Sequence, residues 1–163
     1  MKIILLLAGY FLISHSFAQG SKMDKGLMAF DAKNFNLALT ELKPYAEQGD
    51  CIAQYAVGFS YMYGEKTIKN DSLARYWLQL SADQKHPGAM GPLAVNYFTA
   101  NNVPDAHVKA YLWAMLAAEY SPIQKATTAR IVIRKYLKPD ELEKADKLIE
   151  QYKQKWKNTE DCN

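Results

Sequence analysis

The sequence predicts an all-α protein, an α-solenoid of antiparallel helical hairpins closed by a C-terminal capping pair of helices. Three observations carry this. The chain matches itself at a shift of 36 residues, apolar positions inside each unit recur at helical spacing, and the recurring positions hold chiefly alanine, tyrosine and tryptophan. The shift carries Ala53 onto Ala89, Val57 onto Leu93, Tyr61 onto Tyr97, Ala74 onto Ala110, Trp77 onto Trp113 and Ala82 onto Ala118. Run backwards, it carries Ala74 onto Ala38, Leu78 onto Leu42, Ala82 onto Ala46 and Gln84 onto Gln48. A fixed period of this kind marks stacked units, none of which can bury its apolar face alone.

Residues 1–18 read as a secretory signal. Lys2 precedes an apolar run from Ile3 to Ile13, and Ser16-Phe17-Ala18 sets small residues around one large one, with cleavage expected after Ala18. The run falls short of the ~20 apolar residues that a spanning helix needs. The expectation is an exported chain, periplasmic or secreted, with no integral membrane segment once the signal is removed. No Cys follows the site, which closes the lipoprotein route.

The mature domain is expected over residues 19–157, with repeats at about 22–49, 50–86 and 87–121. The first has a short connector, Asp31 to Asn34. In the second, Ala53, Val57, Gly58 and Tyr61 fall on one helical face, and Gly64 is expected to close that helix in the left-handed conformation. Asn70 or Asp71 then caps a helix through Ala74, Trp77, Leu78, Ser81 and Ala82. Small residues at Gly58, Ala74 and Ala82 let the two helices approach to the lower end of the ~8–10 Å range, and Trp77 and Trp113 fill the wider gaps. The third copy replaces Gly58 by Ala94 and Gly64 by Ala100, so Asn101 and Asn102 supply the turn and Asp105 the cap.

After Pro122 a helix is expected from Ile123 to Leu137, within a terminal segment 122–137. A second follows over 139–157, where Leu142, Ala145, Ile149, Tyr152 and Trp156 form a narrow apolar stripe. Its acids, Asp140 and Glu141, sit in the first turn, and Lys153, Lys155 and Lys157 in the last, complementing the helix dipole. A helix polar on its outer side suits the end of a solenoid, and residues 158–163 form a polar tail.

In register, these units resemble the Sel-one-like repeat (SLR) family, a branch of the tetratricopeptide-like solenoids. The resemblance rests on Ala53-Gln54-Tyr55, Val57-Gly58, Tyr61, Gly64, Ala74, Trp77 and Ala82-Asp83-Gln84, repeated as Ala89, Leu93, Tyr97, Lys109-Ala110, Trp113 and Ala117-Ala118. Ala46-Glu47-Gln48-Gly49-Asp50 looks like the family's junction between repeats. Lys66 and Thr67 depart from its usual loop residues. The resemblance implies an adaptor that binds a protein or peptide on the concave face and has no active site of its own. It also raises two alternatives, a cell-wall or β-lactam-acting enzyme related to cysteine-rich secreted members, and a chaperone-like periplasmic protein. The regular Cys pairs of those secreted members are missing here.

Composition narrows the chemistry. The formal charge is +3, and +2 once Lys2 leaves with the signal, which gives no electrostatic footprint for nucleic acid. His86 and His107 are the histidines outside the signal, and neither has a Cys, His or carboxylate at metal-ligand spacing. No Gly-x-Ser-x-Gly elbow occurs and the eight glycines are scattered, so no catalytic residue, metal or cofactor is assigned. Cys51 and Cys162 can pair in an oxidising compartment if the tail folds back to within ~7 Å between Cα atoms. The other outcome is a buried Cys51 and a tail thiol that pairs between molecules.

Aromatic residues are the richest feature, with 11 Tyr, 6 Phe and 3 Trp. Tyr55, Phe59 and Met62 form a second apolar stripe beside the Ala53, Val57, Tyr61 face. One reading packs this stripe on the preceding repeat, and the other makes it a partner-binding surface. Tyr63, Asn96 and Phe98 complete the candidate contact set.

Overall fold

A computed structural model of the chain describes residues 22–65, 68–120, 124–157, 159 and 162. The signal expected at 1–18 and the departures at Lys66 and Thr67 lie outside the described residues. The described chain forms eight helices and no strand: α1 (22–31), α2 (Phe35–Glu47), α3 (Cys51–Tyr63), α4 (Asp71–Asp83), α5 (Pro87–Phe98), α6 (Ala106–Tyr120), α7 (Gln124–Arg134) and α8 (Pro139–Trp156).

Short polar side chains set where these helices start, because the first N–H groups of a helix have no partner within it. Asn34 Oδ1 accepts from the Leu37 N–H at 3.3 Å, Asp50 Oδ1 from Ala53 at 2.7 Å and Asn70 Oδ1 from Leu73 at 2.9 Å. At α8 the Glu141 carboxylate accepts the Lys138 N–H at 2.8 Å. Asp105 stands at the start of α6 with φ 56°, and its carboxylate takes Lys144 Nζ of α8 at 2.6 Å.

Successive helices from α1 to α7 pack on one another, which gives the hairpins α1–α2, α3–α4 and α5–α6, and α8 packs on α6 rather than pairing with α7. α1, α3, α5 and α7 make one layer, and α2, α4 and α6 the other. α3 meets α5, and α5 meets α7, more extensively than α4 meets α6. The stack therefore curves with the α1, α3, α5, α7 layer inside.

Close approach within each hairpin has one recurrent cause. A Cβ added to Gly58 would lie 2.8 Å from both Leu78 Cγ and the Leu78 backbone nitrogen, so α3 and α4 touch there with no room for a methyl group. In the first hairpin Gly26 meets Leu42 in the same way, at 2.6 Å. The third hairpin carries alanine at both equivalent positions, Ala94 and Ala114, buried to 1% exposure each.

Gly64 corrects the sequence reading. It adopts φ −68°, ψ 173°, an extended conformation open to any residue. Glycine is needed there for space, since a Cβ would run into the Ile68 side chain and come within 2.5 Å of the Ser60 carbonyl oxygen. Left-handed residues stand inside the first and third connectors, Lys33 at φ 58° and Asp105 at φ 56°, and at the junctions between hairpins, Gly49 at φ 98° and Lys85 at φ 65°. The two junction positions are 36 residues apart, one repeat.

Two apolar clusters make up the core. The first joins Ala29, Leu42, Ala53, Val57 and Trp77 across α1 to α4, and the second runs from Leu78 and Met90 through Trp113 to Trp156. Both repeat indoles are buried, yet their covers differ. Trp113 is closed over by α8, with Tyr152 at 5.0 Å and Trp156 at 6.3 Å between centroids, whereas Trp77 has Tyr76 of its own helix at 5.0 Å. α8 is fastened further by Tyr152 Oη donating to Asp83 Oδ1 at 3.0 Å and Trp156 Nε1 donating to the Asp83 carbonyl at 3.0 Å. Of its predicted stripe, Ala145, Ile149 and Trp156 are buried, and Leu142 and Tyr152 pack beside them.

The tail does fold back. Cys162 is bonded to Cys51 at the start of α3, with 6.2 Å between Cα atoms. Closing a loop across 111 positions restricts the unfolded chain strongly.

Two outcomes test this account. Replacing both cysteines by serine should lower unfolding stability by about 2–4 kcal/mol in urea titrations, and an unchanged midpoint would contradict the bridge. Gly58→Ala should cost about 1–3 kcal/mol, and part of that loss should disappear in the Leu78→Ala background. A double-mutant coupling below about 0.5 kcal/mol would show that the two positions do not share the space.

Candidate partner-binding face

α3 reads CIAQYAVGFSYMY and α5 reads PGAMGPLAVNYF, and neither contains an Asp, Glu, Lys or Arg. The centre of the inner layer thus presents aromatic, aliphatic and amide groups alone. On α3 the second stripe packs in both directions. Tyr55 and Phe59 meet Phe30 of α1 edge-on at 5.6 and 5.4 Å, and Phe59 also meets Phe35 at 6.2 Å. Both rings are thereby occupied by the preceding hairpin, as the first of the two sequence readings expects. Met62 is partly buried against the second core cluster.

Tyr63 behaves differently, lying tilted against Phe59 at 4.4 Å while remaining 49% exposed. Phe98 sits between His107 at 5.7 Å and Tyr136 at 5.1 Å and is half-buried. Asn96 corrects the sequence reading: it is 2% exposed and unavailable as a surface contact. Its amide bridges α5 to α4, donating to the Asp71 carbonyl at 3.1 Å and accepting from Arg75 at 2.6 Å. Nearby, Arg75 and Lys109 flank the Tyr97 ring at 5.6 Å each, and Tyr97 Oη donates to Gln79 Oε1 at 3.2 Å. Burial raises the Tyr97 phenol above its ordinary range.

Four further residues enlarge the face. Val95 on α5, Ile131 and Val132 on α7, and Tyr136 just beyond α7 are 40%, 53%, 41% and 58% exposed. A signal for two of them stands in the sequence, since Ile131, Val132 and Ile133 are consecutive and a helix cannot turn three neighbours into one core. Ile133 takes the buried position.

His86 forms the polar edge of the aromatic cluster. It stands at the start of α5 where the preceding repeat has Asp50, but its side chain makes no cap hydrogen bond. The imidazole stacks on Tyr55 at 4.7 Å, and Nδ1 is buried without a hydrogen-bond partner. Desolvation holds His86 below its ordinary value, and the Asp50 carboxylate opposes this more weakly. Burial also raises the phenols of Tyr55 and Tyr63, and at Tyr55 the charges of Tyr63 and Asp31 add to it.

No group of three or more His, Cys, Asp or Glu residues is placed to hold a metal among the described residues. No described helix is long and apolar enough to cross a membrane. The face offers a broad apolar surface with few converging polar groups, a geometry suited to holding a chain rather than to acid–base chemistry.

Alternating layers and a repeated hairpin place the chain among helical-repeat solenoids, and within that class it has the SLR fold. The structure of a protective antigen present in uropathogenic Escherichia coli strains, described as displaying an SLR fold, matches with a TM-score of 0.72 over 82% of this chain at 23% identity. This chain spans 29% of that antigen. No protein-family model and no curated protein matches the sequence.

His86 gives this site a pH dependence with a definite sign. Its folded value lies below that of the unfolded chain, about 6.5, so unfolded molecules take up the proton first as pH falls. The contribution of neutral His86 is complete above that pH and is lost progressively below it. Chemical denaturation from pH 7 to 5 should show stability falling in the parent and falling less in His86→Asn. Equal slopes would remove His86 from the account.

Proposed function

We propose that this chain is a non-enzymatic adaptor of the bacterial envelope or secreted space, binding a protein or peptide on its concave face. One observation carries the reading: the inner layer combines two helices without a single charged residue with exposed apolar groups on three successive inner helices, Tyr63 on α3, Val95 on α5 and Val132 on α7, with Tyr136 just beyond. Water gains from covering such groups, and exposed apolar patches of this kind commonly mark contact sites. Tyr55, Phe59, Met62 and Phe98 serve it as the layer beneath, holding the exposed rings at fixed height. The Cys51–Cys162 bridge supports an oxidising compartment, where such bonds persist.

The outer layer supplies an internal control, because Tyr76 on α4 is 56% exposed and faces away from the concave side. A photo-crosslinking phenylalanine analogue at position 63 or 95 should capture a partner in the native host, and the same analogue at position 76 should not. Equal capture at all three positions, or capture at 76 alone, would reject the concave face as the binding surface.

A further inference from the structure

The inner face changes character at its C-terminal end. Where α3 and α5 carry no charge, residues 128–138 contain Arg130, Arg134, Lys135 and Lys138 and no acidic residue. Elsewhere several lysines are satisfied within the molecule, with Lys25 on Glu41 at 2.6 Å, Lys144 on Asp105 at 2.6 Å and Lys153 on Glu119 at 2.7 Å. Arg130, Arg134 and Lys135 make no ion pair with any described residue, and the last two are exposed. Acidic residues return only at Asp140 and Glu141, and Glu141 is engaged by the Lys138 backbone.

These cations share their surface with the exposed apolar groups. Ile131, Val132, Arg134, Lys135 and Tyr136 are all exposed within the six consecutive residues 131–136, and Ile133 alone among them is buried. Tyr136 touches Phe98, which leads on to α5 and Val95. Exposed apolar groups thus stand on α3, α5 and α7, and those of α7 lie among positive charges without an ion pair.

We propose that the partner presents a run of apolar or aromatic residues free of charge, followed by acidic residues, the run lying on α3 and α5 and the acids meeting Arg134 and Lys135. The proposal rests on the concave-face reading and adds the partner's chemistry and direction to it. Spacing follows from geometry: neighbouring helices stand ~8–10 Å apart and an extended chain advances ~3.3 Å per residue, so the acids fall about three residues beyond the last apolar contact over α5. Cations beside Ile, Val and Tyr also suit an anionic bilayer. A flat surface reaching α7 would still leave Val95, inside the curve, uncovered, and the observations favour a chain that can enter it.

The test pans a library of random peptides of about 12 residues against the purified disulfide-bonded chain, in parallel with Val95→Asp and with Arg134→Glu/Lys135→Glu. All three substituted positions are exposed, and matching thermal unfolding curves verify that the variants fold. Enriched sequences should carry an apolar run followed by Asp or Glu. A representative synthetic peptide should lose about tenfold in affinity to each variant and weaken as salt is raised. Enrichment that is lost with Val95→Asp but shows no acidic bias and ignores the charge reversal overturns this inference and leaves the concave face intact. Failure to enrich anything beyond the Val95→Asp background overturns both. Binding to phosphatidylglycerol vesicles that is abolished by the charge reversal, with no acidic bias in the peptides, assigns the cations to lipid and also overturns the proposal.

Discussion

The structure depends on how closely paired helices can approach. Each hairpin brings a small residue of its inner helix against one position of its outer helix, Gly26 on Leu42, Gly58 on Leu78, and in the third copy alanine at both places. Interiors are packed so densely that one methyl group decides helix separation. Because the inner helices are drawn tightly onto their partners, the large rings of each unit are displaced toward its neighbours. Phe30, Tyr55 and Phe59 interlock across the first two hairpins for this reason, and Trp113 is left to be covered by α8.

A linear stack must also end somewhere, and its last apolar surface has to be hidden. Here α8 covers it with Tyr152 and Trp156, and both reach back to the same residue, Asp83, through its carboxylate and its carbonyl. Burial together with the Asp83 carboxylate pushes the Tyr152 phenol well above its ordinary range, so it remains a hydrogen-bond donor where an exposed phenol would already ionise. The fastening is therefore kept as pH rises through the ordinary phenol range, whereas the His86 junction responds as pH falls.

Much of this was legible in the sequence because it is periodic. The 36-residue shift located the hairpins, and the three-and-four stripe through Leu142, Ala145, Ile149, Tyr152 and Trp156 located the closing helix. Position-by-position roles were less legible where two physical causes predict the same residue. Gly64 could serve a left-handed turn or a tight contact, and only the position of Ile68 distinguishes them. Asn96 is polar, which suggests a surface, but its amide completes hydrogen bonds to two groups of α4 and is buried. Ile131, Val132 and Tyr136 escaped notice because their exposure depends on α7 having no following inner helix among the described residues. The pairing of Cys51 with Cys162 required a tail path that spacing alone does not define.

The bridge between Cys51 and Cys162 divides the molecule into unequal mechanical parts. Everything from α3 to α8 lies inside a covalent ring, while α1 and α2 lie outside it. Under tension applied through the N-terminal end, the ring cannot be drawn out, and among the described residues the 29 from 22 to 50 can unravel, to a full length of about 100 Å. The protein would then act as a short elastic leader joined to an inextensible block, with Tyr63, Val95 and Tyr136 all carried on the block.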